Sequence, residues 1–190
     1  MNSSLTINSL KLSDADFERI VRANPEWNFE QTAAGDLVVV PPTGGTSGSR
    51  NSNLGYQLEA WNLASDAGRT FDSNTMFVLP NSAKRMPDAS WVRRERWDAL
   101  TPQQQDGYPP LCPDFVVELR SPTDSLEQLQ TKMQEYIANG ARLGWLINPQ
   151  DRQVEIYRQG QQVEVLQSPT TLSGENVLPG FVLNLQRIFV

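Results

Sequence analysis

Cys112-Pro113-Asp114-Phe115-Val116-Val117-Glu118-Leu119-Arg120 is followed by Ser121-Pro122-Thr123-Asp124, then by an apolar stripe of Leu126, Leu129, Met133, Tyr136 and Ile137. The run from Asp114 to Leu119 is β-rich and polar only at its ends, which predicts a central strand. The stripe predicts a helix from about Ser125 to Asn139, stopped by Gly140. Trp145-Leu146-Ile147 then reads as another buried strand, closing a strand–helix–strand unit. Working outward, Ser13-Asp14-Ala15-Asp16 opens a short amphipathic helix that Asn24-Pro25 stops. Segments 28–31 and 37–40 read as one hairpin, and 154–157 with 163–166 as another. Thr43-Gly44-Gly45-Thr46-Ser47-Gly48 reads as a loop before a helix over 51–65, with Leu54, Leu58, Trp61 and Leu63 as its apolar positions. Extended segments are expected over 69–79 and 89–92, and a short helix over 102–106 with Thr101 as cap and Pro102 in its first position. With no repeat and no linker in view, the expectation is one α/β domain over 1–190, built on a mixed sheet flanked by helices with additional β-hairpins.

The chain has 190 residues, of which 38% are apolar or aromatic, enough for a real core. No apolar run approaches the ~20 residues that cross a bilayer, and the first ten residues are too polar for a signal peptide. The expected location is therefore the cytoplasm, without membrane contact. Cys112 is the single cysteine and histidine is absent, which excludes Cys–His and Ser–His–Asp hydrolases and His-ligated zinc. The net charge of −6, from 16 Lys+Arg against 22 Asp+Glu, argues against broad electrostatic affinity for nucleic acid but leaves room for a local basic groove.

The chemistry left is that of carboxylates, hydroxyls, arginine and three lysines, Lys11, Lys84 and Lys132. Carboxylates with a lysine suit metal-assisted hydrolysis, because a hard cation such as Mg²⁺ takes one or two carboxylates and keeps several waters. Asp114, Val116, Glu118 and Arg120 share one strand face by period-two alternation. Glu118 thus lies deep in an apolar strand, where an ionised carboxylate needs a cation or donors; the plain alternative is a structural ion pair. Pro87-Asp88 and Pro113-Asp114 each open a hydrophobic strand. Pro-Asp alone more often marks a turn. Lys84, Arg85, Arg93, Arg94 and Arg96 put five cations into thirteen positions, a cluster that could line a phosphate track. Lys132 lies about 40° from Tyr136 on the helical wheel, on the flank of the buried stripe. From there it either reaches solvent or points across the strand end toward Glu118.

Taken in order, several segments resemble the PD-(D/E)xK nuclease superfamily and, more closely, the Uma-type restriction endonuclease family of cyanobacteria. They are Pro-Pro-Thr-Gly-Gly at 41–45, Arg-Met-Pro-Asp-Ala-Ser-Trp-Val at 85–92, the stretch 112–125, Lys-Met-Gln-Glu-Tyr at 132–136, residues 139–149, and Leu-Pro-Gly-Phe at 178–181. The resemblance implies a restriction-endonuclease-like core and a metal-dependent endonuclease that hydrolyses DNA phosphodiesters with Mg²⁺, or Mn²⁺. It implies Asp88 and Glu118 as metal-binding acids, with Asp114 as a further ligand or a strand-entry residue. The motif lysine is absent from the strand, where Arg120 stands, and the resemblance points instead to Lys132. Glu30 resembles an acid found near such sites. Arg120, with Arg85 and Arg93, would contact phosphate. Cleavage of both strands would need two sites, so a homodimer is the expected assembly. The competing expectation is a catalytically silent domain of the same fold that binds protein or nucleic acid. A self-associating structural protein, suggested by Trp91 and Trp97, ranks behind both.

Overall fold

The computed structural model describes residues 4–8 and 10–190, so the polar start of the chain lies partly outside the described residues. The chain begins with β1 (Leu5–Ile7), α1 (Asp14–Ala23), β2 (Asn28–Gln31), β3 (Leu37–Val40) and α2 (Gly45–Ser65). It continues through β4 (Gly68–Asp72), β5 (Phe77–Val78), β6 (Lys84–Arg85), β7 (Ala89–Arg93), α3 (Arg94–Asp98) and α4 (Pro102–Asp106). The remainder is β8 (Phe115–Leu119), α5 (Leu126–Ala138), β9 (Leu143–Asn148), β10 (Gln153–Arg158), β11 (Glu164–Gln167), β12 (Thr171–Ser173) and β13 (Val182–Asn184).

The central sheet has the order β11-β10-β9-β8-β7-β4, and only β8 and β9 run parallel. That parallel pair is joined by α5, as a helical crossover requires. β8 is buried along its whole length because both faces are covered. Phe115, Val117 and Leu119 pack with Leu54 and Leu58 of α2 and with the C-terminal segment through Phe189. On the opposite face Val116 meets Met133 and Tyr136 of α5. A strand sandwiched in this way has no solvent side, which is why its sequence is apolar without alternation. The Ser125 side chain caps α5 by accepting from the Gln128 N–H, and Gly140 at φ 112° ends it in a backbone conformation that suits glycine.

A second sheet, β1-β3-β2-β6-β5, stands beside the first. Phe17 of α1 packs on Phe29, Leu37 and Met76 to give this sheet its own apolar contact. Between β6 and β7, Met86-Pro87-Asp88 carries the chain from the second sheet into the central one. The antiparallel register pairs Ala89 with Val117, so the next step outward sets Asp88 opposite Glu118.

The expected loop at 43–48 is corrected by the structure: α2 starts at Gly45, two turns before the expected Asn51. Residues 45–51 carry no apolar side chain, so they lack the periodic signal of a helix. Leu63, expected on the buried face of α2, is 73% exposed. The extended region 69–79 divides between the two sheets as β4 and β5. β1, β6, α3 and the β12–β13 pair are too short for periodicity to announce them.

Gly68 and Gly144 provide a stability test. A Cβ at Gly68 would fall far inside contact distance of the Val92 carbonyl oxygen and 2.7 Å from Trp91 Nε1, both rigidly held. A Cβ at Gly144 would meet chiefly the mobile end of Met133, at 2.5 Å. Gly68→Ala is therefore expected to cost about 3 kcal/mol or more and Gly144→Ala clearly less, as measured by urea denaturation.

Candidate active site

Glu118 comes from the last turn of the pleat in β8, on the α5 face, and is 4% exposed. Lys132 projects from α5 so that its Nζ lies 2.9 Å from Glu118 Oε1 and 2.8 Å from Glu30 Oε1 of β2. The Met86 carbonyl oxygen accepts from the same ammonium at 3.5 Å. Tyr136, one turn further along α5, donates its hydroxyl to Glu118 Oε1 at 3.0 Å. The i, i+4 spacing of Lys132 and Tyr136 sets both groups on one carboxylate. Both donors use Oε1; among the described residues no hydrogen bond reaches Glu118 Oε2.

Asp88 enters from the Pro87 bend. Its Oδ2 accepts the Leu119 backbone N–H at 2.7 Å and its Oδ1 accepts Asn51 Nδ2 of α2 at 2.9 Å. The register expectation is thus met: Asp88 lies beside the end of β8 that bears Glu118. Glu30 is clamped on its other side by Arg85, at 3.2 Å, and by the Met86 N–H, at 2.9 Å.

The electrostatics follow from burial and these partners. Burial pushes the Glu118 carboxyl up to about 7; Lys132 opposes that, while the nearby carboxylates of Asp88 and Glu30 add to it. Burial also raises Asp88, against its two hydrogen-bond donors. Glu30 differs: burial would raise it, but Lys132 and Arg85 together hold it below its ordinary value. Burial disfavours the charge on Lys132, yet Glu118 and Glu30 hold its pKa above the ordinary value. Its ammonium stays charged at neutral pH.

Three expected site residues are placed elsewhere, and a fourth, Arg85, stays at the edge of the site bound to acids. Asp114 accepts the Arg93 N–H and pairs with Arg96 at 3.0 Å, at the opposite end of β8 from Leu119. Four residues of extended chain, about 13 Å, separate it from Glu118, so sharing a strand face did not bring the two acids together. Arg93 lies at the far end of β7 from Asp88 and pairs with Glu95. Arg120 turns to Asp151 at 3.5 Å and to the Asp124 carbonyl oxygen. Arg85 is held between Glu30 and Glu135. The wider cluster follows suit, with Lys84 on Asp14, Arg94 on Asp66 and Arg96 on Asp114. In the folded chain each cation of the expected phosphate track has an acid partner.

Asp88, Glu118, Glu30 and Lys132 line one cleft of about 670 Å³, together with Arg50 and Asn51. Sequence reasoning missed Asn51, since an amide in a glycine- and serine-rich stretch gives no signal of its own. Among the described residues no group of three or more His, Cys, Asp or Glu side chains gathers as a cage for a metal. Two carboxylates with a free oxygen at Glu118 do suit a hard cation that keeps its waters, and the buried Asn51 Oδ1, which has no partner, lies at the same place.

The chain is thus a mixed α/β protein in which α5 crosses between the parallel strands of the central sheet and an acidic pair meets a lysine at one strand end. Residues 14–186 match the Uma2 family, described as "Putative restriction endonuclease", and the chain belongs to that family. The fold is similar to that of a crystal structure from Anabaena variabilis ATCC 29413, titled as a "putative nuclease belonging to DUF820", with a TM-score of 0.73 and 21% identity over 86% of this chain and 90% of that one. No curated protein matches the sequence. Among the described residues no helix is long and apolar enough to cross a membrane.

The raised Glu118 has a measurable consequence. The folded protein holds this proton more tightly than the unfolded chain, so the group's contribution to stability is fully present below about pH 4.5 and is lost as pH rises through about 7. The loss amounts to about 3 kcal/mol. Urea denaturation across this range is expected to show it as the difference between wild type and Glu118→Gln, which cannot titrate. A separate expectation concerns Lys132→Met, which leaves two buried acids without their cation. It should cost about 3–5 kcal/mol at pH 8 and distinctly less at pH 5, where the acids can protonate.

Proposed function

We propose that this protein is a metal-dependent DNA endonuclease that hydrolyses phosphodiester bonds at the Asp88–Glu118–Lys132 cleft. The observation that carries the reading is the meeting of three groups from separate parts of the chain: Asp88 from the β6–β7 link, Glu118 from β8 and Lys132 from α5. Asp88 and Glu118 would hold Mg²⁺ or Mn²⁺, which supplies Lewis acidity to a phosphate and lowers the pKa of a bound water. The chain's own residues do the rest. Lys132, kept charged by two carboxylates, is no general base; it donates hydrogen bonds and stabilises charge developing on phosphate oxygens. Tyr136 and Lys132 both hold Glu118 Oε1, which would leave Oε2 available to the cation. Glu30 restrains Lys132 from the second sheet. DNA is the substrate in this reading, and a homodimer would supply the second site needed to cut both strands.

Cation binding displaces the Glu118 proton, so affinity should rise with pH up to about 7 and then level off. Mn²⁺ calorimetry in two buffers of different ionisation enthalpy is expected to show release of about one proton at pH 6 and little at pH 8. Glu118→Gln should abolish binding. In a plasmid-nicking assay, cleavage should require Mg²⁺ or Mn²⁺ and fall at least about 100-fold in Asp88→Asn and Lys132→Met. Folded protein that neither binds the cation nor nicks DNA would instead be the silent binding module.

A further inference from the structure

The first two turns of α2 are built from residues that do not favour a helix. Gly45-Thr46-Ser47-Gly48-Ser49-Arg50-Asn51 contributes nothing to the apolar core, yet five of these residues line the cleft. Within this stretch one side chain reaches the candidate cation site. Asn51 Nδ2 donates to Asp88 Oδ1 at 2.9 Å, while the Leu119 N–H holds Oδ2 at 2.7 Å. With a donor on each oxygen, the plane of the Asp88 carboxylate is fixed.

The other half of the Asn51 amide is unmatched. Its Oδ1 is buried and has no hydrogen-bond partner, as are Arg50 Nε, Ser90 Oγ and Trp145 Nε1 among the described residues. A buried acceptor without a donor costs free energy, and an apolar side chain at position 51 would avoid that cost. Asn51 also makes no side-chain hydrogen bond within its own helix, so capping or helix stability does not explain it. What an amide offers here, and an apolar group does not, is a donor for Asp88 together with an acceptor beside it. Hydrated Mg²⁺ presents water protons that need such acceptors.

We propose that Asn51 is a positioning residue of the cation site: its Nδ2 fixes Asp88, and its Oδ1 accepts a hydrogen bond from the cation's water shell. This rests on the reading of Asp88 and Glu118 as cation ligands, and it adds a third polar partner from α2, an element that carries neither acid.

The test uses Mn²⁺ and Mg²⁺ as probes on the full chain. Asn51→Ala is expected to weaken Mn²⁺ binding 10- to 100-fold in calorimetry. In wild type labelled with ¹⁵N, the Asn51 side-chain amide resonances should shift on Mg²⁺ addition with the midpoint of the binding isotherm. This second arm needs no variant and decides the matter if Asn51→Ala folds poorly. Mn²⁺ affinity unchanged in folded Asn51→Ala, or an Asn51 amide that ignores saturating Mg²⁺, overturns the inference. If wild type binds Mn²⁺ and Asp88→Asn does not, such a result removes only the role of Asn51. If wild type binds no Mn²⁺ at all, both readings fall together.

Discussion

Everything at the site depends on one ammonium group. Lys132 Nζ sits within 3 Å of two buried carboxylates, Glu30 from the second sheet and Glu118 from the central sheet. Burying these three charges is costly, and a well-packed apolar trio of similar volume would be no less stable on general grounds. Packing therefore does not explain the arrangement. The placement does: the ammonium bridges the two sheets beside the point where the chain crosses between them. If the cation moved, two acids 6% or less exposed in their side chains would be left facing each other without it.

Backbone register supplies the rest of the geometry. The pairing of Ala89 with Val117 sets Asp88 against the end of β8, and the Leu119 N–H on Asp88 Oδ2 fixes it there. Glu118 therefore stands on a fully buried strand, and Asp88, in the link just before β7, is tied to the end of that strand by a hydrogen bond from its backbone. The same packing explains the unequal treatment of the two Glu118 oxygens. α5 is seated on β8 through Met133 and Tyr136, and that seating delivers Lys132 and the Tyr136 hydroxyl together to Oε1.

The β8–α5–β9 unit was legible in the sequence because each of its signals is local: an uninterrupted apolar strand, a 3.6-residue stripe, and Gly140 at the stop. Lys132 was legible as a flank position, since wheel geometry decides which side chains lie at the border of a buried stripe. Asp114 shows where such reasoning ends. Alternation correctly puts it on the face of Glu118, but strand rise keeps the two far apart, and Arg96 meets it from another element. The ion pairs of the basic cluster around Arg85 were hidden for a related reason. Charge density along a sequence says nothing about which acids fold against it, and Asp14, Glu30, Asp66 and Asp114 come from distant segments. The helical start of α2 was hidden because Gly45 to Asn51 have no apolar periodicity; tertiary contacts hold those turns where intrinsic propensity would not.

These ion pairs also constrain how the cleft meets a polyanion. The acids lining it are Glu30, Asp88, Glu118 and Asp124, against only Arg50 and Lys132 as cations among the described residues. With the cations of the 84–96 cluster already paired to acids, that excess of carboxyl groups disfavours phosphate at the cleft. A divalent cation between Asp88 and Glu118 would reverse that sign locally, and displacing the Glu118 proton would cost little near pH 7, where that group titrates. Attraction for substrate and catalytic competence would then depend on the same occupancy. Lys132 and Tyr136 hold Glu118 at Oε1 and leave its Oε2 without a hydrogen bond among the described residues, an arrangement that would suit such a dependence.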